Sequence, residues 1–304
     1  MTQQDPKIVY FAKGSFFVAQ AIASARSLRL HQYDNIRFYV SSMEEMNTVL
    51  WALPNSDVRI QDVDTGEYPK ISHKIFAIDG LPANAFQGAQ EWVVCDTDIL
   101  WHCDPRPLFA RYKNKAWFHK ITAVQPSDYT LNLSQINRSN TPLWTILSYA
   151  RDHGVHVWPN YIVNGGLFKM SCKHLSLAFR LAKQKVVTAD PSDMLLSEAL
   201  LSIALAELQI TPYADKQDIK YFGRQGEPSD LKMETFSWVD FDHASYLNGY
   251  KIAHHYYGNQ DWRFLKDAMK MGIAGGLVTH LISGSARRLL ARVKRKLAFL
   301  RPPC

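Results

Sequence analysis

The chain has 304 residues, 47% hydrophobic and 21% charged, ordinary globular values that exclude disordered, collagen-like and mucin-like proteins. Lysine and arginine number 35 against 28 aspartate and glutamate, a net charge of +7, but the surplus is local. Residues 272–304 carry Arg287, Arg288, Arg292, Lys294, Arg295, Lys296 and Arg301 and no acid, so the first 271 residues are neutral and a general nucleic-acid-binding surface loses its support.

The four cysteines, Cys95, Cys103, Cys172 and Cys304, form no CxxC pair, which argues against a disulfide framework or structural zinc and for a reducing compartment. The polar start Met1–Pro6 runs straight into a strand-like segment, and no run of 18 apolar residues occurs. The expectation is a cytoplasmic chain without signal peptide or membrane-spanning helix.

In chain order, Lys7–Ala12 reads as a buried strand and Phe17–Leu30 as a helix. Ile36–Val40, Met43–Leu53 and Val58–Val63 read as strand, helix and strand. His73–Ile78 begins a helix that the Gly80/Pro82 region ends, and Glu91–Cys95 is a fourth strand. Residues 112–160 are less regular. Tyr161–Met170 reads as a glycine-interrupted strand, Leu175–Ala182 and Met194–Leu208 as helices, and 209–262 as a mixed, aromatic-rich stretch. Strands alternating with helices predict an α/β fold with a mostly parallel sheet.

Val93-Val-Cys-Asp96-Thr-Asp98 ends an apolar strand in two carboxylates spaced i, i+2, which extended chain would point to one side. Ligands of open α/β sheets sit beyond the carboxyl ends of strands. Two carboxylates there can hold a hard divalent cation, which would neutralise a diphosphate leaving group. They can equally be two surface acids.

The surroundings are informative as an ordered set. Lys74-Ile-Phe-Ala-Ile-Asp-Gly-Leu-Pro82 is followed by the strand into Asp96-Thr-Asp98, then Asp104-Pro-Arg-Pro-Leu-Phe109, then Asn164-Gly165-Gly166, then His255-Tyr-Tyr-Gly258-Asn-Gln-Asp261-Trp262. In order and spacing this resembles GT-A glycosyltransferases, and its last element resembles the metal-binding histidine segment of the family-8-like retaining transferases. The resemblance covers about residues 7–262. It implies a GT-A, Rossmann-like domain over 1–266 that binds a nucleotide diphosphate sugar.

The resemblance gives the metal to Asp96, Asp98 and His255, a set that suits Mn²⁺ better than Mg²⁺. It gives donor contacts to Lys74, Asp96, Asn164, Gly165 and Gly166, and places Asp193 near the reacting carbon or the acceptor. For several of these residues another reading stays open. Lys74 can be a solvated lysine, the glycines a bulge, Asp193 a helix N-terminal acid, and His255 a packing residue. Trp101, His102 and Cys103 read as packing. Three departures stand out: Asp261 precedes Trp262 where the family often has Lys-Pro, Ala12–Ser15 lacks the acid often found near the base, and the family's Asp-Gln pair reads Asp193-Met194.

Residues 267–304 form the second segment. Leu277, Val278, Leu281, Ile282, Leu289, Leu290, Val293, Leu297 and Leu300 recur at helical spacing with the basic residues between them, interrupted near Gly284. The pattern predicts a basic amphipathic helix that either lies on an anionic membrane surface, peripheral to the inner face of the cell membrane, or docks on its own domain.

The expected function is metal-dependent transfer of a hexose from a UDP-linked sugar donor to a hydroxyl of a glycan or lipid-linked glycan. A non-catalytic nucleotide-sugar binder at the membrane is one alternative. A nucleotidyltransferase is another, opposed by the poor phosphate loop at Lys13-Gly14-Ser15.

Overall fold

The computed structural model describes residues 5–66, 73–86, 90–118, 121–124, 142–155, 157–186, 196–214, 219–222, 253–256 and 261–286. The chain divides into two compact units, one of residues 1–11, 61–95 and 106–216 and the other of 12–60, 96–105 and 217–304.

In the first unit, β1 (Lys7–Ala12) pairs in parallel with β4 (Glu91–Cys95), Ile8 opposite Val93. β9 (Leu167–Ser171) runs antiparallel between β4 and β6 (Trp117–Phe118), and β10 (Tyr213–Ala214) is parallel to β6. Every strand of this run except β9 therefore points the same way, as the sequence pattern predicts. Ile8, Val9, Trp92, Val93 and Phe168 are fully buried, which is why β1 and β4 read as continuous apolar runs rather than alternating ones. A further pair, β7 (Ile121–Ala123) and β8 (Tyr161–Val163), is antiparallel. The helices are α3 (His73–Asp79), α4 (Arg106–Arg111), α5 (Pro142–His153), α6 (Cys172–Val186) and α7 (Leu196–Glu207). α6 packs against α3 and α7, and Lys183 Nζ donates to Asp79 Oδ2 at 2.7 Å across the first of these contacts.

The predicted single strand over Tyr161–Met170 is two strands. Asn164 Oδ1 accepts from Gly166 N at 2.9 Å, closing a side-chain turn that separates β8 from β9.

The second unit holds α1 (Ser15–Arg29), β2 (Ile36–Val40), α2 (Met43–Ala52) and β3 (Asp57–Ile60), with β2 and β3 parallel. It also holds β5 (Ile99–Trp101), β11 (Ile219–Phe222), β12 (Ala253–Tyr256) and α8 (Asp261–Lys270). α1 opens at Gly14, whose φ of +94° few other residues adopt. The Gly14 amide is taken up by Glu45 Oε1 at 2.6 Å, while Glu45 Oε2 accepts from Ser41 N at 2.7 Å. Ser42 caps α2 by accepting from Glu45 N.

The tail begins as structure of this unit. A helix runs over 278–286 without a break at Gly284, contrary to the interruption expected there. Gly284 lies flat on Phe16 of α1, where a Cβ would come within 2.1 Å of the ring. Leu277 and Leu281 of the same segment are buried. The basic residues Arg287 to Arg301 lie outside the described residues. No helix among the described residues is long and apolar enough to cross a membrane.

Candidate active site

The Asp96–Asp98 segment is held by polar residues of α1. Gln20, Ser24 and Ser27 sit on its buried face at i, i+4 and i+7. Thr97 Oγ1 donates to Gln20 Oε1 at 3.0 Å, and Trp101 N donates to Ser27 Oγ at 2.9 Å. The segment is not extended as expected: residues 97 and 98 form a turn before β5. Thr97 is nevertheless drawn inward by its bond to Gln20, and the two aspartates remain half-buried on either side of it. A turn replaces extended chain because the path must enter β5, whose three residues are fully buried.

β12 brings the C-terminal element to this turn. It runs antiparallel to β5 with His255 opposite Ile99, and Tyr256 N donates to Asp98 O at 2.9 Å. The backbone of His255 is thereby fixed beside the aspartate pair across about 150 residues of sequence. The side chain of His255 lies outside the described residues, and among the described residues no three His, Cys, Asp or Glu side chains gather as a metal cluster. Asp96 and Asp98 are oxygen donors of the kind a hard divalent cation takes.

β12 is anchored from its other end. Tyr256 is fully buried, packs edge-on against Phe264 at 5.5 Å between ring centres, and donates through its hydroxyl to Asp267 Oδ2 at 2.6 Å. Trp262, the last residue of the resemblance, stands 47% exposed in the first turn of α8.

In the first unit, Lys74, Asn164 and Gly165 come together, and a fourth residue joins them. Lys74 Nζ donates to Gly165 O at 2.6 Å. Asn164 Nδ2 donates to Glu198 Oε1 at 2.6 Å, while its Oδ1 takes the Gly166 amide. Val163 N donates to Ser202 Oγ, which donates to Glu198 O, so α7 stitches down the end of β8. The asparagine thus shapes the turn, and Gly165 carries no side chain into open space. The reading of 194–208 as a helix does not single out Glu198; its signal is an acid in the first turn of a largely apolar helix. Gln20 and Ser27 carry no such signal, being polar residues inside a helix rich in alanine and serine. Asp193 lies outside the described residues.

His102, next to β5, is packing, as expected. Burial, reinforced by nearby His31, pushes its imidazole down to about 3. A histidine depressed in the fold from its ordinary value near 6.5 binds fewer protons than the unfolded chain, so stability rises with pH and is lost as pH falls below about 6.5. By pH 5 the loss from this group is about 2 kcal/mol. Denaturant unfolding at pH 7.5 and 5 should show that loss in the wild-type chain and a smaller one in His102→Gln. Parallel pH slopes in the two proteins would assign the acid sensitivity elsewhere.

No family model and no curated protein matches the chain. Among solved structures, the galactosyltransferase LgtC, in complex with donor and acceptor sugar analogues, is similar over 87% of this chain and 95% of its own, at 15% identity and a TM-score of 0.53. WbbM, a bifunctional glycosyltransferase in its apo form, is similar over 93% of this chain at 14% identity and a TM-score of 0.53. This chain covers 52% of that protein. Identities this low speak for architecture, and the architecture is the GT-A fold of glycosyltransferases.

Proposed function

We propose that this chain is a metal-dependent glycosyltransferase that moves a hexose from a UDP-linked sugar to a hydroxyl of a glycan or lipid-linked glycan, with retention of configuration. The observation that carries the proposal is the register of β12, which sets the backbone of His255 beside the Asp96–Asp98 turn. LgtC, of the same fold, was solved with donor and acceptor sugar analogues, which supports a sugar donor here.

Asp96, Asp98 and His255 would hold Mn²⁺, whose charge offsets the diphosphate that leaves. The remaining work belongs to this chain's own groups. The Gln20–Thr97 and Ser27–Trp101 bonds tie the chain on either side of Asp98 to α1 and so fix the path of the turn that carries the carboxylates. The Asn164–Gly166 turn, braced by Glu198 and Lys74, offers glycine backbone that a sugar can approach closely. Asp193 would act near the reacting carbon or the acceptor.

Thermal unfolding with UDP-hexoses, with and without Mn²⁺, tests the reading. A donor at about 100 times its Kd stabilises the fold by about 2.7 kcal/mol. A rise in melting temperature that requires both donor and metal is expected. No rise with any nucleotide sugar would overturn the proposal.

The basic tail is proposed to hold the enzyme at an anionic membrane face in the cytoplasm, with about 1 kcal/mol from each basic residue near the surface. Co-sedimentation with anionic vesicles should fall as salt rises and be lost on deletion of 287–304. That cut keeps Leu277, Leu281 and Gly284, which belong to the folded unit. Equal binding by both chains would remove the membrane role.

A further inference from the structure

One face of α2 carries Glu44, Asn47, Thr48 and Trp51 at i, i+3, i+4 and i+7, and with Gly276, Leu277 and His280 it lines a groove of about 590 Å³. None of these residues belongs to the Asp96–Asp98 turn, to β12 or to the Asn164 turn. Trp51 is 72% exposed, the most exposed large apolar side chain among the described residues. Its ring is nevertheless braced. Gly276, at φ +75°, lies so close that a Cβ would sit 3.1 Å from the indole.

Both walls are fastened to a single guanidinium. Arg26 donates to Ala52 O at the end of α2 at 3.2 Å, and to Ile273 O at 2.9 Å and Gly275 O at 2.6 Å on the opposite wall. The groove is therefore formed before anything enters it, which reduces the ordering cost of binding.

The lining offers one flat aromatic surface, a carboxylate, an amide, a hydroxyl and an imidazole, and no lysine or arginine. With no cation in the lining, the Arg26 guanidinium being taken up by three backbone carbonyls, and with Glu44 repelling negative charge, phosphate and sulfate are poor ligands. The Thr48 hydroxyl already donates to Glu44 O at 2.9 Å, which leaves its oxygen as an acceptor. Glu44 also accepts, and Asn47 both donates and accepts. An apolar plane flanked by acceptors and a mixed amide complements a pyranose. The C–H face of the ring stacks on indole, and the hydroxyls donate outward.

We propose that this groove is a second saccharide-binding site, distinct from the transfer chemistry, that takes a neutral hexopyranose. It rests on the transferase reading only for the source of the sugar, which would be a unit of the acceptor glycan other than the one that reacts.

Saturation-transfer NMR on the full chain tests it, with methyl β-galactopyranoside, methyl β-glucopyranoside and lactose in EDTA and without nucleotide. Donor and metal binding are then irrelevant to the result. Transfer to the ring C–H protons is expected, weakened severalfold and up to about tenfold in Trp51→Ala, the scale of losing an aromatic stacking partner. Trp51→Phe should retain part of it, and Asp98→Ala should bind as the wild type does. Matching melting temperatures for wild type and Trp51→Ala would show the fold intact. No transfer from any of the three sugars, or equal signals from wild type and Trp51→Ala, would overturn the site. Choline chloride binding in place of the sugars would overturn it too, marking the groove as a cation site. Sugar binding without detectable transferase activity would leave the groove standing and count against the transferase reading alone.

Discussion

Asp98→Ala should reduce sugar transfer by roughly two orders of magnitude or more, the scale seen when one preorganised electrostatic group is removed from a reacting centre. It should also remove the Mn²⁺ dependence of donor binding. The melting temperature should move little, because Asp98 is half-buried and the turn is held by Thr97 and by the backbone bond from Tyr256 to Asp98 O, which alanine keeps. His255→Ala should cost less, since both carboxylates remain. Transfer rates with and without EDTA, alongside thermal melts, make the measurement. An active Asp98→Ala protein, or wild-type activity that survives EDTA, would sink the metal assignment.

The largest effect on stability should come from Lys169. This lysine is fully buried in β9, and its ammonium pairs with Glu91 of β4, which also accepts from Asn114 N at 3.0 Å. Burial pushes the lysine below its ordinary value, and the bond to Glu91 opposes that. Removing one partner strands a buried charge, and Lys169→Ala should cost about 3–5 kcal/mol in urea unfolding. The double replacement Lys169→Met with Glu91→Gln should recover much of the loss, because it leaves neither charge alone. A single variant within about 0.5 kcal/mol of wild type, the range of an ordinary surface change, would show that water reaches the pair.

The elements that could be read from sequence are those whose burial is visible in composition. β1, β2 and β4 are short apolar runs and lie within a residue of where their patterns place them. β5 was hidden because Ile99–Trp101 is three residues long and follows two aspartates that drew the reading toward chemistry. α5 was hidden because it lies inside the long irregular stretch 112–160, where polar and aromatic residues surround it. At the site, residue types were legible and their supports were not. The aspartates and His255 announce themselves by spacing. The bonds from Gln20, Ser27 and Glu198 join residues 34 to 77 positions apart, a relation that only the folded chain reveals.

The contact of Gly284 with Phe16 has a consequence for sequence variation. Gly284 lies in an ordinary helical turn, so the requirement there is set by the ring it faces rather than by its own backbone. The two positions should therefore change together in natural variants of this chain. Alanine or serine at 284 should appear only where residue 16 has shrunk to a valine or smaller, and an aromatic at 16 should always be accompanied by glycine at 284. A single Gly284→Ala exchange would have to lift the helix off α1, whereas the pair Gly284→Ala with Phe16→Val would let it settle back.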